Sequence, residues 1–276
     1  MAQPVAAPLA PPFSGPFLDE DDRPESTLHD QCLALLYAIL SYGALRSGLD
    51  ALVARNLACR WDPTDARIGV DPDLLLTSPH PPLPPERRSL KQLRLWEPGH
   101  HPPRVTVEVV SESTADKGYD EAPWAHAKAG TRELWVFDPE LLGPTRGGGP
   151  FLLQVWQQQP GGTLKRTHAG NGPAWSEEMQ AWLVVTDGGT RLRLSEDRWS
   201  KHLWPTEAEA KVREAEEKAR EAAEAKAREA RAKAREAKAK AREARAKARE
   251  AAEAEVRALR QRLAELEALP RTPQGG

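Results

Sequence analysis

Between residues 28 and 40 the apolar positions Leu28, Cys32, Leu35, Leu36, Ile39 and Leu40 recur at helical spacing and share one face. Ser26 or Thr27 can cap this helix, and Gly43 or Gly48 can end it. Short strand-like runs then alternate with turn residues at 52–59, 67–77, 104–110, 133–138 and 151–157, with weaker ones at 164–168, 183–186 and 190–194. Between the third and fourth runs, 115–129 reads as a second helix with Gly130 as its stop. Pro123 has no N–H to give and belongs near a first turn, which places the predicted start near Asp120. The stretch 78–104, with PHPPLPPE and EPGHHPP, predicts a long Pro-rich loop. Helix, strands, helix, then more strands predicts an α/β (α+β) domain over 26–204.

The two ends follow other rules. Residues 1–25 are Pro-rich with small apolar residues and an acidic patch from Asp19 to Asp22. That composition predicts a disordered leader, read as a tether rather than a docking peptide. Residues 205–270 predict one long helix between Pro205 and Pro270, with a short disordered tail at 271–276. At 1.5 Å per residue the helix extends roughly 100 Å. From Lys226 a seven-residue unit repeats as KAREARA, KAREAKA, KAREARA and KAREAAEA. Its alanines fall at alternating steps of three and four, which is an a/d seam made of alanine. Glu229–Lys233, Glu236–Lys240 and Glu243–Lys247 are i,i+4 pairs in the favourable order, each worth about 0.2–0.5 kcal/mol. An alanine seam buries little area, whereas Val256, Leu259, Leu263, Leu266 and Leu269 make an apolar stripe. The helix is therefore either a coiled coil that makes a homo-oligomer from its leucine end or a solitary charged helix. Residues 226–249 hold 11 basic and 3 acidic side chains, read as a solvated face with a phosphate backbone as the other possible partner.

Composition narrows the class. Apolar residues are 39 % of the 276, and the shortfall lies in the charged helix. Two cysteines, Cys32 and Cys59, are too few for a disulfide framework and fit a reducing compartment. No run reaches the roughly 18 apolar residues that cross a bilayer. The N-terminus lacks a basic start and an apolar h-region, so a secretory signal is not expected. A soluble, cytoplasmic protein with no membrane partner is the expectation. The net charge of −2 hides a tail (204–276) of +4 and a remainder of −6, which excludes a globally basic nucleic-acid binder.

Two acids stand on apolar strands: Asp73 in RIGVDPDLLLT and Glu108 in RVTVEVVSEST. A carboxylate there costs several kcal/mol to desolvate unless paired or metal-bound. One such residue is usually an outward strand position; two flanking one long loop suggest a shared site. Two carboxylates with open water positions suit Mg²⁺. His100 and His101 sit in the Pro-rich loop without companion ligands and read as exposed. Trp96, Trp124, Trp156, Trp175, Trp182, Trp199 and Trp204 read as core packing or a tail dock rather than base stacking. No Walker-type loop, GxGxxG or GxSxG is present, and GPTRGGGP lacks the lysine a phosphate loop needs.

Pro72-Asp73, then RRSLKQLRLWEPGHHPPRVTVEVVSEST, then AHAKAGTRELWVFDPE resemble the Uma-type family of restriction endonucleases in the PD-(D/E)xK nuclease superfamily. The resemblance spans about residues 28–140 well and the later strands loosely. It implies a restriction-endonuclease-like mixed sheet flanked by helices, a Mg²⁺ cofactor held by Asp73 and Glu108, and hydrolysis of DNA phosphodiester bonds. Ser111, Ser113 and Thr114 match a turn that caps the next helix, Trp135 and Asp138 match the next strand, and His29 lies where relatives often carry a histidine. The family's aspartate and lysine, four and eight residues past the threonine, fall here on Gly118 and Ala122, and Val110 stands at the E-x-K position. Lys117 is then the nearest substitute for the water-positioning cation, with Asp116 beside it; Lys128 lies on another helix face. The resemblance thus implies either an endonuclease with a displaced lysine or weakened site, or a non-catalytic nuclease-fold protein that binds or assembles through its C-terminal helix.

Overall fold

A computed structural model of the chain describes residues 27–65, 67–83, 89–115, 117–145 and 148–267; the side chains of 113, 117–120 and 265–267 lie outside that description. The leader, Asp116, Leu269 and Pro270 therefore lie outside the described residues. The chain divides into two units, Met1–Ala210 and Lys211–Gly276.

In the first unit a six-stranded mixed sheet forms the centre. Helix α1 (Thr27–Ser47) is followed by β1 (Leu52–Arg55), β2 (Ala58–Arg60), β3 (Gly69–Val70), β4 (Leu74–Thr77), β5 (Gln92–Arg94) and β6 (Val105–Val109). Helix α2 (Lys117–Lys128) leads to β7 (Glu133–Phe137), β8 (Leu153–Gln158), β9 (Leu164–Gly170), β10 (Ala174–Ser176), β11 (Ala181–Thr186) and β12 (Arg191–Ser195). The large sheet has the order β1-β4-β6-β7-β8-β9; β6 and β7 are parallel and the other pairs antiparallel. Two three-stranded sheets, β10-β11-β12 and β3-β2-β5, complete the described strands.

Burial follows the period-two alternation of β6. Val105, Val107 and Val109 face the main core with Leu33, Leu36, Ile39 and Leu40 of α1, and Leu183, Leu192 and Leu194 of the small β10–β12 sheet close that layer. On the opposite face Val110, Leu134 and Val136 pack with Ala115 and Ala122, and Leu75 packs with Cys59, Leu93 and Ala129. Both cysteines are buried and free.

Several boundaries differ from the sequence reading for local reasons. Run 52–59 splits into β1 and β2 because Asn56 turns the chain at φ 49°. Run 67–77 splits at Pro72-Asp73 into β3 and β4. The Pro-rich loop contains β5, which gains its bonds as a parallel partner of β2. Gly43 does not end α1; it passes so close to the Trp204 ring that a Cβ would stand 2.9 Å from it, and the helix ends at Gly48, φ 65°. Helix α2 begins at Lys117 rather than Asp120, so Pro123 lies inside it. Ser111 and Thr114 close a 3₁₀ turn at Glu112–Thr114 ahead of that helix.

Helix α3 (Glu207–Glu267) starts with a reciprocal cap: Thr206 Oγ1 accepts the Glu209 N–H, and Glu209 Oε2 accepts the Thr206 N–H. Its i,i+4 pairs form as read, with Lys233–Glu229 at 2.6 Å and Lys240–Glu236 and Lys247–Glu243 at 2.7 Å.

Candidate active site

Asp73 stands one residue before β4, and Glu108 is the fourth residue of β6. The antiparallel register pairs Leu74 with Val107. One step further along the same register, Asp73 lies opposite Glu108. Residues directly opposite in an antiparallel pair send their side chains to the same face, so the fold brings these two acids together. Their side chains are 19 % and 20 % exposed.

Each acid is fixed by a buried imidazole. Asp73 Oδ2 accepts the Val109 N–H at 2.7 Å and lies 3.2 Å from His29 Nε2. Glu108 Oε1 lies 2.9 Å from His126 Nε2. His29 is in the first turn of α1 and His126 in the last turn of α2. The geometry around His126 is set by the helix end. Gly130, at φ 73°, lets the chain close a Schellman turn in which the Thr131 N–H donates to the His126 carbonyl at 3.0 Å and the Gly130 N–H to Ala127 at 3.0 Å. A C′ glycine in the sequence thus fixes a histidine four residues earlier.

The electrostatics of the pair are uneven. Burial raises the Glu108 carboxyl well above the usual glutamate range; Asp73 and then Asp71 push the same way, with His29 opposing. Burial lowers His126 to about 4, against the attraction of Asp73. His126 is therefore a neutral imidazole at neutral pH, and its Nδ1 has no hydrogen-bond partner among the described residues. Asp71 is itself ion-paired to Arg60 at 2.7 Å.

The expected cation is placed differently. Ala122 is half-buried against Val110, Leu134 and Val136, so the position is a packing contact. Gly118 lies in the first turn of α2 and Lys117 opens that helix, but the Lys117 side chain lies outside the described residues. Lys128 sits over the Trp124 ring at 5.6 Å. Among the described residues no lysine or arginine is hydrogen-bonded or ion-paired to Asp73 or Glu108; histidines take those contacts.

Other singled-out residues have structural places. Trp135 is buried and donates to Glu133 Oε1 at 2.6 Å. Asp138 accepts the N–H groups of Leu142 and Gly143 at 2.9 and 2.8 Å. His100 is buried rather than exposed, because its Nδ1 accepts the Arg94 N–H at 3.1 Å and anchors β5. Sequence reasoning passed over His126, which carries no spacing signal relative to Glu108; only the fold joins them.

Chemically, the site is a small oxygen-donor set. Asp73 Oδ1 and Glu108 Oε2 take no hydrogen bond among the described residues, and the two carboxyl groups share a half-buried corner. A hard divalent cation that keeps its waters fits such a pair. Among the described residues no group of three or more His, Cys, Asp and Glu side chains is arranged to hold a metal.

Residues 22–143 match the family model Uma2, described as "Putative restriction endonuclease". A crystal structure described as "a putative nuclease belonging to DUF820", from Anabaena variabilis, is similar at 12 % identity over 56 % of this chain and 75 % of that one, with a TM-score of 0.39. No curated protein matches the chain. Among the described residues no helix is long and apolar enough to cross a membrane.

Proposed function

From the Uma2 match over residues 22–143, we propose that this protein is a Mg²⁺-dependent endonuclease that hydrolyses DNA phosphodiester bonds at Asp73 and Glu108. The observation that carries the reading is the pair of facing acids, Asp73 just before β4 and Glu108 on β6, each with an oxygen that takes no hydrogen bond among the described residues. Bound Mg²⁺ would polarise the scissile phosphate and offset its developing charge. The chain's own groups do the positioning. The Val109 N–H and His29 hold Asp73 in one rotamer, and His126 holds Glu108. Lys117 is the proposed water-positioning cation, displaced from the position where Ala122 stands.

A second reading rests on that same Ala122. Its methyl group packs against Val110, Leu134 and Val136, so a lysine is absent from the usual place and the site would be weakened. A non-catalytic nuclease-fold protein, assembling as a homo-oligomer through the exposed Val256, Leu259 and Leu263 of α3, is the alternative.

Mg²⁺ titration by calorimetry separates the two. The enzyme reading expects binding that Asp73→Ala and Glu108→Ala each abolish with the fold intact, and plasmid nicking that Lys117→Ala reduces by about 10²–10³. Absent Mg²⁺ binding by a folded parent protein would sink it.

A further inference from the structure

We propose that one face of α3, formed by Arg231, Arg235, Lys238, Arg242 and Arg245, is a docking surface for the phosphate backbone of duplex DNA. Within 226–249 the three acids are already used: Glu229, Glu236 and Glu243 each hold the lysine four residues on. The five named cations are exposed and have no ion pair among the described residues. They follow one another at steps of four, three, four and three, which puts them on a single helix face. Over 14 residues the row is about 21 Å long, one cation per roughly 5 Å. Alanines fill all the uncharged positions between 226 and 249, so nothing bulky screens the row.

Charge complementarity identifies the partner. The helix is net acidic on either side of this segment, with seven acidic and four basic residues over 207–225 and five and three over 250–267. The cationic row is thus a bounded feature of the rod. Duplex DNA carries about one phosphate charge per 1.7 Å of axis, a lattice a straight cationic rod can follow. Four of the five cations are arginines, whose forked donors pair with phosphate. A membrane surface fits less well, because interfacial helices carry large apolar residues opposite their cations, and this segment has none. A second copy fits less well too. The same steps continue through Arg249, Ala252, Val256, Leu259 and Leu263, so a parallel pairing along the leucines would set arginine against arginine.

The surface deepens the DNA reading above but does not require the acids, so it is tested without hydrolysis. The full chain is titrated onto a random 30-bp duplex in EDTA, by fluorescence anisotropy, between 50 and 300 mM NaCl. Five phosphate contacts give a log–log salt slope of about −4.5. The triple variant Arg231→Gln, Lys238→Gln, Arg245→Gln should flatten it by about 2.7 and weaken binding at least about tenfold at 0.1 M salt. The charge-matched control, Lys233→Gln, Lys240→Gln, Lys247→Gln, should lose less than about threefold; circular dichroism checks that both stay helical. Equal losses in the two triples, no duplex binding by the parent, or tighter binding to phosphatidylserine vesicles than to the duplex would overturn the proposal. The contrast between the two triples is read in EDTA, where no hydrolysis occurs. If nicking fails while that pattern holds, the nuclease reading falls and the docking surface stands.

Discussion

Glu108 is held where its own charge is unfavourable. Its carboxyl is largely removed from water, feels Asp73 and Asp71, and has a neutral imidazole as its hydrogen-bond partner among the described residues. Such a group destabilises the metal-free fold whenever it is ionised and becomes tolerable when a cation shares it. Two observables follow. Glu108→Gln should raise the melting temperature of the protein in EDTA, by several degrees for a gain of about 1 kcal/mol. The same substitution should abolish the stabilisation that millimolar Mg²⁺ gives the parent. A melting temperature lowered in EDTA would mean the carboxylate is favourably housed without metal. Both acids were legible in the sequence, because a carboxylate in an apolar strand demands an explanation. The imidazoles were not equally so: His29 was suggested by resemblance alone, and His126 comes to Glu108 through a helix end that no spacing rule encodes.

At the scale of elements, the main strands were legible because short apolar, β-branched runs between turn residues read as strands of a sheet covered on both faces. What escaped were short pieces whose existence depends on partners. Strand β5 has three residues and forms on β2; β10 has three and forms on β11. Neither has enough residues to show a period. The junction into α3 shows the converse, a local signal with a tertiary reinforcement. Thr206 and Glu209 have capping-box spacing, and Arg193 of β12 then grips Glu209 with two bonds of 2.8 and 2.9 Å. The Arg193 guanidinium, first, and the cap hydrogen bonds hold the Glu209 carboxyl down at about 2, against the cost of burial. A carboxylate depressed by folding stabilises the fold above its unfolded pKa of about 4.5, and that contribution disappears as pH falls toward 2. The urea midpoint of the parent should therefore fall more steeply between pH 4.5 and 2.5 than that of Glu209→Gln. Parallel curves for the two proteins would mean the junction contributes no acid sensitivity.

Across the whole chain, charge is segregated rather than absent. The small net value conceals a tail of +4 and a remainder of −6, and within α3 the cations and the leucines occupy successive stretches of one helical face. That succession would give the two proposed partners of the helix, duplex DNA and a second copy, opposite salt dependences. Phosphate binding releases counterions and weakens as salt rises. Self-association through Val256, Leu259 and Leu263 brings the arginine-lined stretches of two copies near each other when the helices run parallel, and salt screens that repulsion. Sedimentation equilibrium should thus find the dimer strengthening between 50 and 500 mM NaCl while duplex affinity falls. Leu259→Gln with Leu263→Gln, which adds no charge to that face, should abolish the dimer at every salt concentration and leave duplex binding within about twofold. A dimer that weakens with salt would imply pairing through opposite charges instead, with the leucine stripe not its seam.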